Sequence, residues 1–427
     1  MEEKRFWHDD IETLPLDKLR KLQEDRLKES VDWAYRKTVF YRRLFDEAGV
    51  KPADIKTLED IRKFPFTMDI EVASDGPFEH RLAVPEDEIK MFHSTSGTVG
   101  AVIPIPFNQK DLETFMEEGE FRPRWTMGVR PSDVIQILTR FDCCSIGMKE
   151  FGASLVLQAA GRYNQDQQIH LTKLAGVTVI EHMPSMILLY FERMKELGIE
   201  VKDTRLRQVD GVGEGWAESY KKKVEDKYGI PFMTLWSAVE LCPFASAECE
   251  ARQGLHIFAD LGLLEVIDPE TGEPLPDGEE GELVVTPFLK QAMPLIRYRV
   301  GDIGKILPYE PCACGRSLPK ISYVKGRVSH IIKVGDKRVM PIDIEEVIAN
   351  IEGLGEQHQI ILDRPEPERL KLKVEYKPEI TKLRALKETA EEGLWNDIGI
   401  KSEIELVPQG SIERVTFKAQ RLIREYQ

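Results

Sequence analysis

Leu16, Leu19, Leu22, Leu27, Val31 and Ala34 recur at roughly helical spacing among charged residues, which predicts helix through the first 50 residues, lying on a larger core. From about 90 to 300 the texture changes. Short apolar runs, VIQIL (134–138), VTVI (177–180), RQVDGVG (207–213) and PFMTLW (231–236), alternate with amphipathic stretches. Strands alternating with helices predict an α/β fold whose sheet is covered on both faces.

Between 261 and 286, two β-rich runs flank the Pro/Gly/Asp-rich connection DPETGEPLPDGEEG, the pattern of a hairpin opening a small β subdomain. After Gly326 come IIKV, a GDK turn, RVMP, a helix from about 342 to 351, QIILD, LKLKVEY, a second helix and EIELV. That order predicts a compact α+β unit of about 100 residues. The expected division is a large N-terminal domain over 1–326, with the β subdomain at 261–320, and a C-terminal domain over 327–427. No internal repeat or low-complexity tract interrupts it.

Composition narrows the partners. Apolar residues make up 42% of the 427 positions and charged ones 31%, enough to bury cores in two or three packed units. With 59 basic and 74 acidic residues the net charge is −15, which disfavours nucleic acid or an anionic membrane as partner. The N-terminal MEEKRFWHDD has no apolar run of signal-peptide length, and no window reaches membrane-span length, so a cytoplasmic location is expected. Six cysteines in a chain of this size read as thiols or metal ligands, not as a disulfide framework.

The candidate chemistry starts at HSTSGTVG (93–100). Glycines and small hydroxyl residues let backbone N–H groups turn inward, and Ser94, Thr95, Ser96 and Thr98 add hydroxyl donors suited to phosphate oxygens. Without a lysine after Gly100 the run is not a P-loop, and alone it also fits a polar turn.

Further motifs follow in a fixed order: GVGEGW (211–216), LWSAVE (235–240), PLIRYRVGDIGKI (294–306), GRVSHIIKVGDKRVMPIDIEEV (326–347) and SIERVTFKAQRLI (411–423). In this order they resemble the adenylate-forming superfamily of acyl-CoA synthetases. The length and the N-terminal segment resemble its phenylacetate-CoA ligase branch. The resemblance implies that Ser94, Thr95, Ser96, Gly97, Thr98 and Gly100 hold phosphates, and that Gly213 and Glu214 line the adenine. It further implies that Trp236 and Ser237 flank the nucleotide, that Glu240 holds magnesium, and that Asp302 accepts the ribose hydroxyls. Arg327, Lys333 and Gly335 match the hinge and the start of a mobile C-terminal domain, and Lys418 is the implied adenylation lysine. Ser329 stands where the family has an aspartate or lysine hinge residue, and Phe417 and Glu413 replace a glycine and a proline.

By family position, the acid pocket draws on Phe141, Met148, Gly211, Ala238 and Pro243, an apolar set that implies a phenylacetate- or benzoate-like acid or a compact aliphatic one. The implied co-substrates are ATP, with magnesium, and coenzyme A. The expected reaction forms an acyl-adenylate and pyrophosphate, then a thioester and AMP. Transfer of AMP to a deazaflavin hydroxyl, or a regulatory nucleotide-binding role, are the alternatives, and a homodimer stays open. Separately, Cys249 and His256, with Cys312 and Cys314, offer a Cys3His set that suits a structural zinc, with reduced thiols as the alternative.

Overall fold

Residues 4–68, 72, 76–94, 103–139, 148–156, 164–413 and 421–426 are described by the computed structural model of the chain. The predicted N-terminal helical stretch is mainly two helices, Leu16–Lys37 and Val39–Glu47. The break is at Thr38, whose extended backbone and side-chain oxygen, accepting from Tyr41 N at 3.0 Å, cap the second helix. The first helix buries Leu19, Leu27, Val31 and Ala34. It lies across the β hairpin, where Gln23 donates to Gly262 O (3.2 Å) and Ser30 to Pro287 O (3.2 Å).

An eight-stranded sheet runs in the order Lys320–Ile321, Leu255–Ile257, Ala245–Glu248, Phe232–Ser237, Gln208–Gly211, Val179–His182, Val134–Ile137, Ser154–Val156. The last five of these are parallel to one another and the others antiparallel. Val179–His182 and Gln208–Gly211 are buried at every position, as strands covered on both faces must be. Helices Gln165–Leu174, Pro184–Glu196 and Glu218–Tyr228 connect the parallel strands.

The hairpin Gly262–Ile267 and Gly281–Pro287 is joined by Tyr298–Gly304 and Gly326–Arg327 in a four-stranded antiparallel sheet. Its turn is set by Asp268, whose Oδ1 accepts from the amides of Glu270 and Thr271 at 2.9 and 2.8 Å. Beyond it, strands Ile332–Val334 and Lys337–Val339 turn at Gly335, whose φ of 59° suits glycine. Helices Pro341–Ala349 and Leu383–Ile398 pack on a sheet ordered Ser402–Pro408, Leu370–Tyr376, Leu354–Leu362, Leu422–Arg424. Ile332, Ile344, Ile360, Leu372, Leu394 and Ile404 form a core of their own there, separate from those of the large sheets. The architecture is α/β with a β subdomain and a C-terminal α+β unit. No helix among the described residues is long and apolar enough to cross a membrane.

Candidate active site

Asp302 lies on the strand Tyr298–Gly304, in register with Arg327. Trp236, on the strand Phe232–Ser237 of the large sheet, donates its indole N–H to Asp302 Oδ2 at 2.8 Å. Arg327 Nε approaches Asp302 Oδ1 at 3.4 Å, and its Nη2 donates to Val300 O. Asp302 is thereby held between the two sheets by one neutral and one cationic donor. The Trp236 ring is 7% exposed and packs edge-on against Phe244. Trp236 was expected to flank the nucleotide; its indole edge also holds Asp302, a contact that only the three-dimensional register reveals.

Ser237 ends the same strand, and the turn that follows carries Ala238, Glu240 and Pro243. Ala238 O accepts from the amides of Leu241 (2.9 Å) and Cys242 (3.2 Å), which tightens that turn. Glu240 is 8% exposed. Its charge acts on Lys290, which composition and motifs did not single out. Lys290 is 3% exposed, its Nζ sits 5.0 Å from the Phe107 ring centroid, and it has no hydrogen-bond partner among the described residues. Burial lowers its pKa, opposed by the charges of Asp111, Cys242 and Glu240. Asp111 in turn accepts from the amides of Gln291 (2.7 Å) and Ala292 (2.9 Å), which fixes the loop carrying Lys290.

Ser94 closes the strand Ile89–Ser94, opposite Pro104 of Pro104–Asn108. Between these strands Thr95, Ser96, Gly97, Thr98 and Gly100 lie outside the described residues, as do Phe141 and Lys418 and the side chain of Met148. Gly211 ends its strand against Phe232, where a Cβ would approach the ring to 2.4 Å, so only glycine fits. Gly213 has φ 86°, and the Glu214 carboxylate accepts from Ser185 N at the start of Pro184–Glu196, a helix-capping contact. Lys333 pairs with Glu270 (3.3 Å) and Glu366 (3.5 Å), in a set apart from Asp302 and Trp236.

At the carboxyl ends of the parallel strands, where open α/β sheets bind ligands, the structure gathers Glu181, His182 and Asp210. Burial pushes the Asp210 carboxyl up to about 7, countered by the Gln208 amide, which donates to it at 2.7 Å. Burial alone brings His182 down to about 4. Arg124 Nη2 donates to Glu181 Oε2 at 2.6 Å. The sequence-derived set did not include these buried ionisable groups, because nothing in an apolar run such as VTVIEH marks which acid stays inside. A separate groove of about 560 Å³, lined by Lys221, Arg252, Lys305 and Tyr323, contains none of the expected site residues, and two of its cations are already paired, Lys221 with Glu248 and Arg252 with Glu225.

The four expected soft ligands do converge. The donor atoms of Cys249, His256, Cys312 and Cys314 all lie within 4.8 Å of one another, and all four residues are buried.

Residues 337–425 match the model of the AMP-binding enzyme C-terminal domain. The chain is 32% identical to the phenylacetate-coenzyme A ligase of Thermus thermophilus over 96% of its own length and 97% of that protein's. Against the phenylacetate-coenzyme A ligase of Escherichia coli identity is 29%, over 97% and 96%. The solved 2-hydroxyisobutyryl-CoA ligase in its postadenylation state, in complex with 2-HIB-AMP, superposes with a TM-score of 0.91 at 24% identity, covering 100% of this chain and 94% of that one. The same ligase in its thioesterification state scores 0.71, covering 99% and 93%. Fold and sequence together define an AMP-forming acid–thiol ligase of the adenylate-forming type. Within that class, the chain belongs to the phenylacetate-CoA ligase family.

Proposed function

We propose that the chain couples a carboxylic acid to coenzyme A at the expense of ATP, with a phenylacetate- or benzoate-like acid, or a compact apolar one, as substrate. The observation that carries this reading is the full-length likeness to phenylacetate-coenzyme A ligases combined with the braced carboxylate of Asp302. A carboxylate is a poor acyl donor because it is anionic and resonance-stabilised. Attack of its oxygen on the α-phosphate forms an acyl-adenylate and releases pyrophosphate; a thiol then attacks the acyl carbon, and AMP leaves with the C–O electron pair.

In this reading Asp302 accepts the ribose hydroxyls with two oxygens already oriented by Trp236 and Arg327. Gly213 and Glu214 shape the adenine side, and Ser94 to Gly100 supply amides and hydroxyls to the phosphates. Magnesium, when bound, would neutralise phosphate charge; Glu240, a carboxylate in the turn after Ser237, is the residue to hold it, since a hard cation takes oxygen ligands. Lys418 offsets charge building between carboxylate and α-phosphate. Gly211, Ala238 and Pro243, with Phe141 and Met148, wall the acid pocket.

Residues 327–427 act as the mobile domain, turning about the segment that carries Arg327, Ser329, Lys333 and Gly335. The higher score against a postadenylation state than against a thioesterification state supports an arrangement after the first half-reaction. Zinc, held by Cys249, His256, Cys312 and Cys314, takes no part in the chemistry. A screen of pyrophosphate release over aryl, arylacetic and short aliphatic acids tests the reading: turnover with one class is expected, and background release with all of them overturns it.

A further inference from the structure

We infer that the Cys249, His256, Cys312 and Cys314 cluster is a closed zinc site that clasps the N-terminal segment onto the wall of the acid pocket. The cluster draws on three segments. Cys249 follows the strand Ala245–Glu248, His256 sits within Leu255–Ile257, and Cys312 and Cys314 come from the loop before Lys320–Ile321. Cys249 Sγ is 3.7 Å from Cys312 Sγ, and Cys314 Sγ is 3.4 Å from His256 Nε2. Zinc–sulfur bonds of about 2.3 Å in a tetrahedron put sulfur atoms about 3.8 Å apart, so the observed spacing is that of donors around one ion. A disulfide would need about 2 Å.

The surroundings fit the same ion. His256 Nδ1 lies 3.1 Å from Leu318 O; donating there leaves Nε2 as the free lone pair facing the sulfurs. Arg316 N donates to Cys314 Sγ at 3.4 Å. Binding converts three thiols to thiolates, with their protons passing to solvent, so a dication with three thiolates and a neutral imidazole carries a single net negative charge. Two arginines answer it. Arg5 donates to Cys314 O at 2.8 Å, and Arg316, buried, flanks the loop.

Those arginines also carry the clasp. Arg316 Nε binds Glu12 Oε2 at 2.6 Å, Ser317 N binds Glu12 O at 2.9 Å, and Phe6 lies under Arg316 with its ring centroid 4.7 Å away. Glu12 is fully buried and also meets Arg122. Between these anchors Trp7 packs on Phe121, Trp125 and Phe151, the last on the same short helix as Met148, a residue expected to line the acid pocket. Loss of the ion frees the 312–316 loop and, with it, residues 5–14.

The test uses the full chain as purified. Metal analysis is expected to give one zinc per chain, and replacement by cobalt(II) a thiolate-to-metal charge-transfer absorption. Stripping the ion with a mercurial is expected to speed amide exchange in residues 5–14 while leaving 337–425 unchanged. Because C312S can fail to fold, W7A serves as the second variant: Trp7, whose ring packs on Phe121, Trp125 and Phe151, supplies no ligand and no charge to the ion, so W7A should keep the zinc yet speed exchange in the same segment. Absence of stoichiometric zinc and of the cobalt band overturns the site. Bound zinc whose removal leaves exchange in 5–14 unaltered overturns the clasp. Both outcomes are separate from the ligase reading, which the pyrophosphate screen decides.

Discussion

The indole N–H of Trp236 and the carboxylate of Asp302 meet at 2.8 Å across the junction of the large sheet and the β subdomain. The carboxylate is thus oriented before any ribose arrives, and Arg327 approaches its other oxygen. W236F keeps an aromatic ring and deletes the donor. A hydrogen bond to a charged group contributes about 1.5–3 kcal/mol, so the KM for ATP should rise about tenfold or more with a smaller change in kcat. Steady-state pyrophosphate release at varied ATP measures it, and an unchanged KM removes the orienting role.

Asp210 gives a pH prediction. Its unfolded carboxyl loses a proton near pH 4, whereas burial holds the folded one up to about 7. Folding therefore takes up a proton between those values, and the stability linked to this group is full below about pH 4 and lost as pH rises to about 7. D210N does not titrate. Relative to it, wild type should lose on the order of 4 kcal/mol over this window, which denaturant midpoints at a series of pH values will report.

Lys290 is an amine buried without a hydrogen-bond partner among the described residues. K290M fills the same space without the charge. Because burial lowers the lysine pKa, the wild-type chain loses stability as pH falls into the range where the unfolded lysine is charged. The melting temperature of K290M should therefore exceed wild type by more at pH 7 than at pH 10. Its activity should fall and its magnesium requirement shift, since Glu240 and Lys290 interact electrostatically and the substitution removes that coupling.

Much of the architecture was legible in the sequence. VIQIL and PFMTLW became strands, the hairpin after Leu261 formed, and the order from IIKV to EIELV held, because period and turn residues act locally. Thr38 shows the limit: its cap divides the helical stretch expected through the first 50 residues into two helices. Motifs pointed to Asp302 and Trp236 separately, but their bond joins residues 66 positions apart and depends on sheet register. Glu12 carried no motif; only the fold brings Arg122 and Arg316 around it. Lys290 carried no motif, and its isolation is a property of packing.

For Lys418, K418A should cut acyl-adenylate formation by roughly 100-fold or more while thioester formation from a pre-made acyl-adenylate stays near wild type. Rapid-quench analysis of the two half-reactions separates them, and equal loss in both removes the division of labour.

The most direct measurement is a single-turnover reaction of the full chain with ATP, magnesium and phenylacetate, followed by mass spectrometry before and after coenzyme A is added. Phenylacetyl-AMP and pyrophosphate should accumulate first, then convert to phenylacetyl-CoA and AMP on addition of the thiol. If the screen identifies another acid, that acid takes the place of phenylacetate. Hydrolysis of ATP independent of any acid, or an adenylate that coenzyme A does not discharge, would contradict acid–CoA ligation.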